Sequence, residues 1–208
     1  GGIAAQTAFL ALALVAYRKA SLEHASADLD DPYHASLLTL MLGIPLAAFT
    51  LPDVSVLGLH PVSFVLPVIY VAGLRIGAGV RKAPMWHPVQ TLHTREDRPD
   101  EAPDRSRALI PLLAGFAVLA CVLGLAGWTI SKIGGQLSVR LEISATVVGA
   151  LMTAVATSLP ELITTLAAVR RGAVQLAVGG IIGGNTFDVL FLTAADAGYR
   201  EGSIYHAV

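Results

Sequence analysis

An apolar run from about Ser144 to Val169 carries Thr157-Ser158-Leu159-Pro160-Glu161 at its centre. At roughly 1.5 Å of rise per residue, a helix of that length crosses about 30 Å of hydrocarbon. Pro160 removes one backbone N–H and disfavours helix in the residue before it, so nearby carbonyls lose their intrahelical donors. A carboxylate at that depth costs at least roughly 2.5–3.5 kcal/mol unless something cationic meets it. Hydroxyls, freed carbonyls and one carboxylate form the hard-oxygen set that Na⁺ or Ca²⁺ prefers. A helix interrupted by polar groups at the midplane is where transporters hold ions. The same residues also read as a helix start, with Ser158 as N-cap, Pro160 in the first turn and Glu161 as the reciprocal acid of a capping box. The two readings are compatible, since the box would restart the helix after the break.

The rest of the chain agrees with a membrane setting. It is 54% hydrophobic and 14% charged, against about 25% charged in soluble domains. The net charge of −1 carries no message, because the charges are segregated. Cys121 lies in an apolar run and reads as a small hydrophobe, and a single cysteine allows no disulfide within the chain. The sequence opens inside an apolar run at Gly1 and stops at Val208 as another segment begins, so it reads as a piece of a longer membrane protein.

Six apolar runs are expected to span: Gly1 to Tyr17, Ser36 to Leu51 (with Pro45), Leu57 to Val80 (with Pro61 and Pro67), Ala108 to Ile130, the broken segment, and Leu176 to Tyr199. Polar connectors are expected at Ser21 to Pro32 and at Lys132 to Arg140, with a turn at Pro52-Asp53 and an end to the broken segment at Arg170-Arg171-Gly172. The stretch 81–107 is rich in Arg, Asp, Glu and Pro and reads as a solvated, flexible linker. It divides the chain into 1–80, the linker and 108–208. Its His87 and His93 have no partner at metal-ligand spacing and read as surface histidines. With the linker cytoplasmic, Arg18, Lys19, Arg75, Arg81, Lys82, Arg95, Arg98, Arg105, Arg107, Arg170 and Arg171 all face inside, leaving Lys132, Arg140 and Arg200 outside. The positive-inside rule selects this orientation.

The two ends of the chain resemble each other. Gly1 to Leu10 aligns without gaps on Gly183 to Leu192, and the register continues through Tyr17-Arg18 with Tyr199-Arg200 and His24-Ala25 with His206-Ala207. Arg18 inside and Arg200 outside make it an inverted repeat. It brings Gln6 to the depth of Asp188, which lies one to two turns into its apolar run behind Gly183, Gly184 and Asn185. The glycines permit close helix approach or expose carbonyls to a cation, and Asn185 either ligates or bonds across helices. Asp196 lies nearer the end of its run and reads as interfacial.

Gly149 to Leu162, then Arg171-Gly172 and Gly179 to Leu190, resemble the second alpha repeat of the sodium/calcium exchanger (cation/calcium antiporter) superfamily. Its hallmark is Gly-Thr-Ser-Leu-Pro-Glu followed one hairpin later by Gly-Asn-x-x-Gly-Ser-Asn-x-Phe-Asn/Asp, and the paired motifs cover about Val147 to Leu192. The resemblance implies an all-α integral membrane protein of ten helices in two inverted halves. About six helices would be present here, with a discontinuous helix at Thr157–Glu161 and the linker 81–107 on the cytoplasmic side. The helix carrying the first repeat's motif would lie outside this sequence, so the segment alone is expected not to transport. By position, the cation ligands would be Glu161, the Thr157 and Ser158 side chains or carbonyls, the Ala154 carbonyl and Asp188, with Gln6 in place of the first repeat's amide or acid; Asn185 stays a candidate metal ligand from its place before Asp188. The chain departs from the pattern at Ala156 (glycine), Gly180 (asparagine), Gly184 (serine) and Ile3 (asparagine).

These features point to a secondary antiporter of a bacterial inner membrane, exchanging Ca²⁺ for Na⁺ or H⁺ by alternating access. Its partners would be the bilayer and the transported cations, with no cofactor and no nucleic acid; nothing in the sequence sets its oligomeric state. The rival readings are a cation channel and an antiporter of K⁺, Mg²⁺ or Mn²⁺. An enzyme is disfavoured, because His24, His34, His60 and His206 lie near the ends of runs and none reaches the depth of the acids.

Overall fold

The computed structural model describes residues 1–16, 30–82 and 109–207, and the expected connector at 21–29 and linker at 83–107 lie outside them. Helix α1 is Gly2–Ala16, α2 is Asp30–Ala48 and α3 is Pro61–Lys82. Helix α4 runs Leu109–Leu141. The broken segment follows as α5 (Ala145–Val147), a π-helical turn (Val148–Thr153), α6 (Ala154–Thr157) and α7 (Leu159–Arg170). Helices α8 (Val174–Asp188) and α9 (Phe191–Gly198) complete the described residues. Apart from one bridge between Val56 and Leu59, regular structure among the described residues is helical.

Three stretches are long and apolar enough to cross a membrane: Pro61–Val80, Leu109–Leu141 and Val174–Gly198. The bent pair Ala145–Thr157 and Leu159–Arg170 makes a fourth if it counts as one span. The expectation of six is thus met in part. The described part of α1 has 15 residues, and α2 begins with Asp30 and Asp31 inside its first turn, earlier than the expected start at Ser36. The polar stretch Lys132 to Arg140 is not a loop but the last turns of α4. It contains no proline, and Lys132 folds back to 5.9 Å over the Trp128 ring, which keeps its charge on the helix surface. The chain turns instead at Glu142, whose φ of 55° ends the helix, and Ser144 caps the next one through the Val147 N–H at 3.3 Å.

Two small cores hold the helices. In one, Leu37 and Met41 of α2 meet Val62 and Leu66 of α3 and Val189 after α8, and the Tyr33 hydroxyl donates to the Gly73 carbonyl at 2.7 Å. In the other, Ala13 of α1 packs against Ala168 and Val169 of α7 and Ala177 of α8. Helix α4 buries none of its residues and packs mainly on the start of the broken segment. The hairpin between α7 and α8 closes as sequence chemistry requires. Gly172 takes φ +79°, and the Ala173 and Gly172 N–H groups donate to the Ala168 and Val169 carbonyls at 3.0 and 2.9 Å, the Schellman arrangement that glycine permits.

Candidate cation site at the helix break

The bend between α6 and α7 is 41°. Ser158 forms the joint, with φ −94° and ψ 0°, the bridge region between helix and strand. Its N–H still reaches back to the Ala154 and Val155 carbonyls at 3.1 and 3.2 Å. This geometry overturns the capping box. A capping hydroxyl needs an extended residue behind it, and at ψ 0° the Ser158 side chain makes no bond to the first turn of α7. The Ser158 N–H is already taken, so the Glu161 carboxylate has no reciprocal donor there. What remains is a 1%-exposed serine and a carboxylate whose Oε2 is buried without a hydrogen-bond partner. Glu161 sits in the first turn of α7, where the positive end of the helix dipole favours a negative group.

Helix α8 brings the second half. Asp188 is its last residue, within electrostatic reach of Glu161 and of the Gln6 side-chain amide of α1. Gln6 is 6% exposed, and α1 lies against both α7 and α8, so three of the expected ligands converge. One turn before Asp188, Asn185 is 1% exposed and neither its Oδ1 nor its Nδ2 has a partner. Buried amides are ordinarily satisfied, which marks this one.

The remaining expected ligands differ in availability. The Ala154 carbonyl accepts from the Ser158 N–H at 3.1 Å and the Thr157 hydroxyl at 3.3 Å, so both of its lone pairs are in use. Thr157 gives its proton to the Thr153 and Ala154 carbonyls and keeps its oxygen lone pairs for another group. Gly1 lets α1 approach this region closely: a Cβ there would lie 2.6 Å from the Ala150 carbonyl oxygen. At Gly184 a Cβ would meet nothing within 4 Å, so the missing serine leaves open space. Gly180 and Glu161 line one cavity of about 290 Å³ between α7 and α8. Ile3 packs against the α2–α3 core, which accounts for an apolar residue there. Among the described residues no group of three or more His, Cys, Asp or Glu could hold a metal. Any cation here would therefore depend on hydroxyl, amide and carbonyl oxygens beside the two acids.

Sequence reasoning missed a second polar cluster. Asp196, expected at the interface, is 0% exposed. It accepts from the His60 N–H at 2.9 Å, the Ser63 hydroxyl at 2.7 Å and the Ile204 N–H at 3.1 Å. The signal was present in His60-Pro61-Val62-Ser63, a helix start with unsatisfied N–H groups that an acid can cap.

A profile described as "Sodium/calcium exchanger protein" matches residues 111–205. "Inner membrane protein YrbG" of Escherichia coli (strain K12) is 42% identical over 62 residues, which is 30% of this chain and 19% of that protein. No solved structure matches the chain. The profile match takes in the helix break, Glu161, Asn185 and Asp188, so residues 111–205 are similar to the sodium/calcium exchanger proteins that the profile describes.

Proposed function

We propose that this chain is part of a secondary active cation antiporter of an inner membrane, exchanging Ca²⁺ for Na⁺ or H⁺ by alternating access. The observation that carries the reading is the set of buried, unpartnered polar atoms, Glu161 Oε2 and both amide atoms of Asn185, beside Asp188 at a broken helix. Two neighbouring carboxylates in a low-dielectric setting do not both stay charged and bare. Among the described residues neither has a lysine or arginine partner, so a cation or protons serve as the counter-charge. Alternate occupancy by Ca²⁺ and by Na⁺ or H⁺ then follows from one site that tolerates neither emptiness nor double loading.

In this reading Glu161, Asp188, Asn185, Ser158, Thr157 and Gln6 supply oxygens. The Ala154 carbonyl contributes only if the Thr157 hydroxyl turns away. Gly184 leaves one position to water or to backbone. The halves 1–80 and 108–208 form inverted repeats of a ten-helix fold, and 81–107 is the cytoplasmic linker between them. Transport, rather than catalysis, is the activity.

The test is ⁴⁵Ca²⁺ uptake into sealed vesicles holding the full-length protein, driven by an outward Na⁺ gradient and, separately, by a pH gradient. Uptake that requires one of these gradients fits the proposal, whereas flux without a counter-ion identifies a channel. Glu161→Gln keeps the shape and removes the charge, and it is expected to abolish exchange in a protein that still folds. Exchange retained in that variant sinks the site assignment.

A further inference from the structure

We propose that Asp196 is a positioning residue: by pinning α9 to the first turn of α3 it sets where Asp188 stands in the cation site. The inference rests on the reading of Asp188 as a ligand, and it concerns residues with no assigned role.

Asp188 ends α8, and Val189 and Leu190 carry the same span on into α9 with helical dihedrals. This join is tight: the Leu190, Leu192 and Thr193 N–H groups donate to the Phe187, Val189 and Leu190 carbonyls at 2.9, 3.1 and 3.0 Å. Val189 and Leu190 keep right-handed helical dihedrals and Val174–Gly198 forms one span, so whatever holds α9 bears directly on Asp188 through that span. Beside the apolar packing of Val189, Leu190 and Leu192, the polar part of that hold is concentrated on Ser63. Its hydroxyl donates to Asp196, and its carbonyl accepts from the Thr193 hydroxyl at 3.1 Å, so one residue of α3 grips α9 in two places. The His60 N–H fixes the same carboxylate oxygen of Asp196, and the Ile204 N–H fixes the other. Meanwhile the His60 ring accepts the Val62 N–H at 3.3 Å, and the Tyr205 hydroxyl lies 3.2 Å from Ser63 Oγ. Burial pushes the Tyr205 phenol above its ordinary range, so it remains a neutral hydroxyl beside Ser63.

Asp196 is not itself a third ligand, because donors already occupy both of its oxygens. A carboxylate is needed, since an amide at this position would turn an NH₂ towards the N–H of either His60 or Ile204. The frame is closed on the other side, because α3 packs on α2 and α2 on α8. Releasing the pin therefore leaves the start of the span held by α2 and lets its C-terminal end, where Asp188 lies two turns before Asp196, shift in depth and rotation.

The experiment compares Asp196→Asn, Ser63→Ala and Ser63→Thr in the full-length protein. One measurement is labelling of Asp188 by dicyclohexylcarbodiimide, read by peptide mass against Glu161 as internal reference. The other is the half-saturating Ca²⁺ concentration for ⁴⁵Ca²⁺ uptake. Mutation of residues that orient ligands weakens cation affinity by roughly 10–100-fold. Asp196→Asn is expected in that range, with Ser63→Ala shifted the same way and Ser63→Thr close to the parent. Asp188 labelling should change severalfold in the first two variants and recover in the third. If Asp196→Asn fails to fold, Ser63→Ala carries the test. Unchanged Asp188 labelling, or changed labelling with an unaltered half-saturation, overturns the positioning role. Changed labelling in a protein whose parent takes up no Ca²⁺ supports the pin and sinks the antiporter reading instead.

Discussion

Asn185→Leu separates the demands of binding from those of folding. The side chain is 1% exposed and both of its polar atoms lack partners. An unsatisfied buried polar group costs about 1–3 kcal/mol, and leucine fills nearly the same volume without polar atoms. In the absence of cation the variant is therefore expected to be more stable by about 1–3 kcal/mol. At roughly 2–4 °C per kcal/mol for a domain of this size, the melting temperature rises by about 2–12 °C. The parent, by contrast, is expected to gain stability from a bound cation by RT ln(1 + [L]/Kd), about 2.7 kcal/mol at a hundredfold excess over Kd. The assay is thermal unfolding in detergent, with and without Ca²⁺, for both proteins. The expected pattern is a variant that melts higher in chelator and no longer responds to Ca²⁺. A variant that melts lower in chelator, or that keeps the full Ca²⁺ shift, refutes the reasoning, because Asn185 would then have its partners within the protein.

Two further substitutions probe neighbouring positions. Gly184→Ser adds a hydroxyl where a Cβ meets nothing within 4 Å, so it should fold normally and tighten Na⁺ dependence of ⁴⁵Ca²⁺ exchange; an unchanged Na⁺ dependence would place Gly184 away from the ions. Gly172→Ala forces a side chain into φ +79° at the α7–α8 hairpin and should lower stability by roughly 1–2 kcal/mol. Thermal unfolding measures this, and no loss would mean that the hairpin relaxes.

Several features were legible because they depend on the chain near each residue. Pro160 has no N–H to give, so a break beside it follows from covalent structure alone. Arg170-Arg171-Gly172 marks the end of the broken segment, and the helix does end there, in a left-handed glycine cap. The helical character of the long apolar runs follows from length and composition. Other forecasts failed where local chemistry allowed two outcomes. Lys132 to Arg140 is polar enough for a loop, yet nothing in it forbids a helix. Ser158 and Glu161 have the spacing of a capping box, but the bend leaves Ser158 at ψ 0°, and the box cannot close.

By itself the sequence determined that the chain is helical, where its interrupted helix lies, and that Glu161 and Asp188 sit within apolar runs. Each of these is a property of a short stretch, set by dihedral freedom, hydrogen-bond capacity and hydropathy. Only the tertiary structure decided which polar groups meet. Gln6 reaches Asp188, and Asp196 finds His60 and Ser63 across sequence separations of 136 and 133 residues. Those meetings depend on how each helix is rotated and how deep it sits against its neighbours. Helix packing tolerates many such rotations, and the one adopted is chosen by the combined fit of all the packed faces.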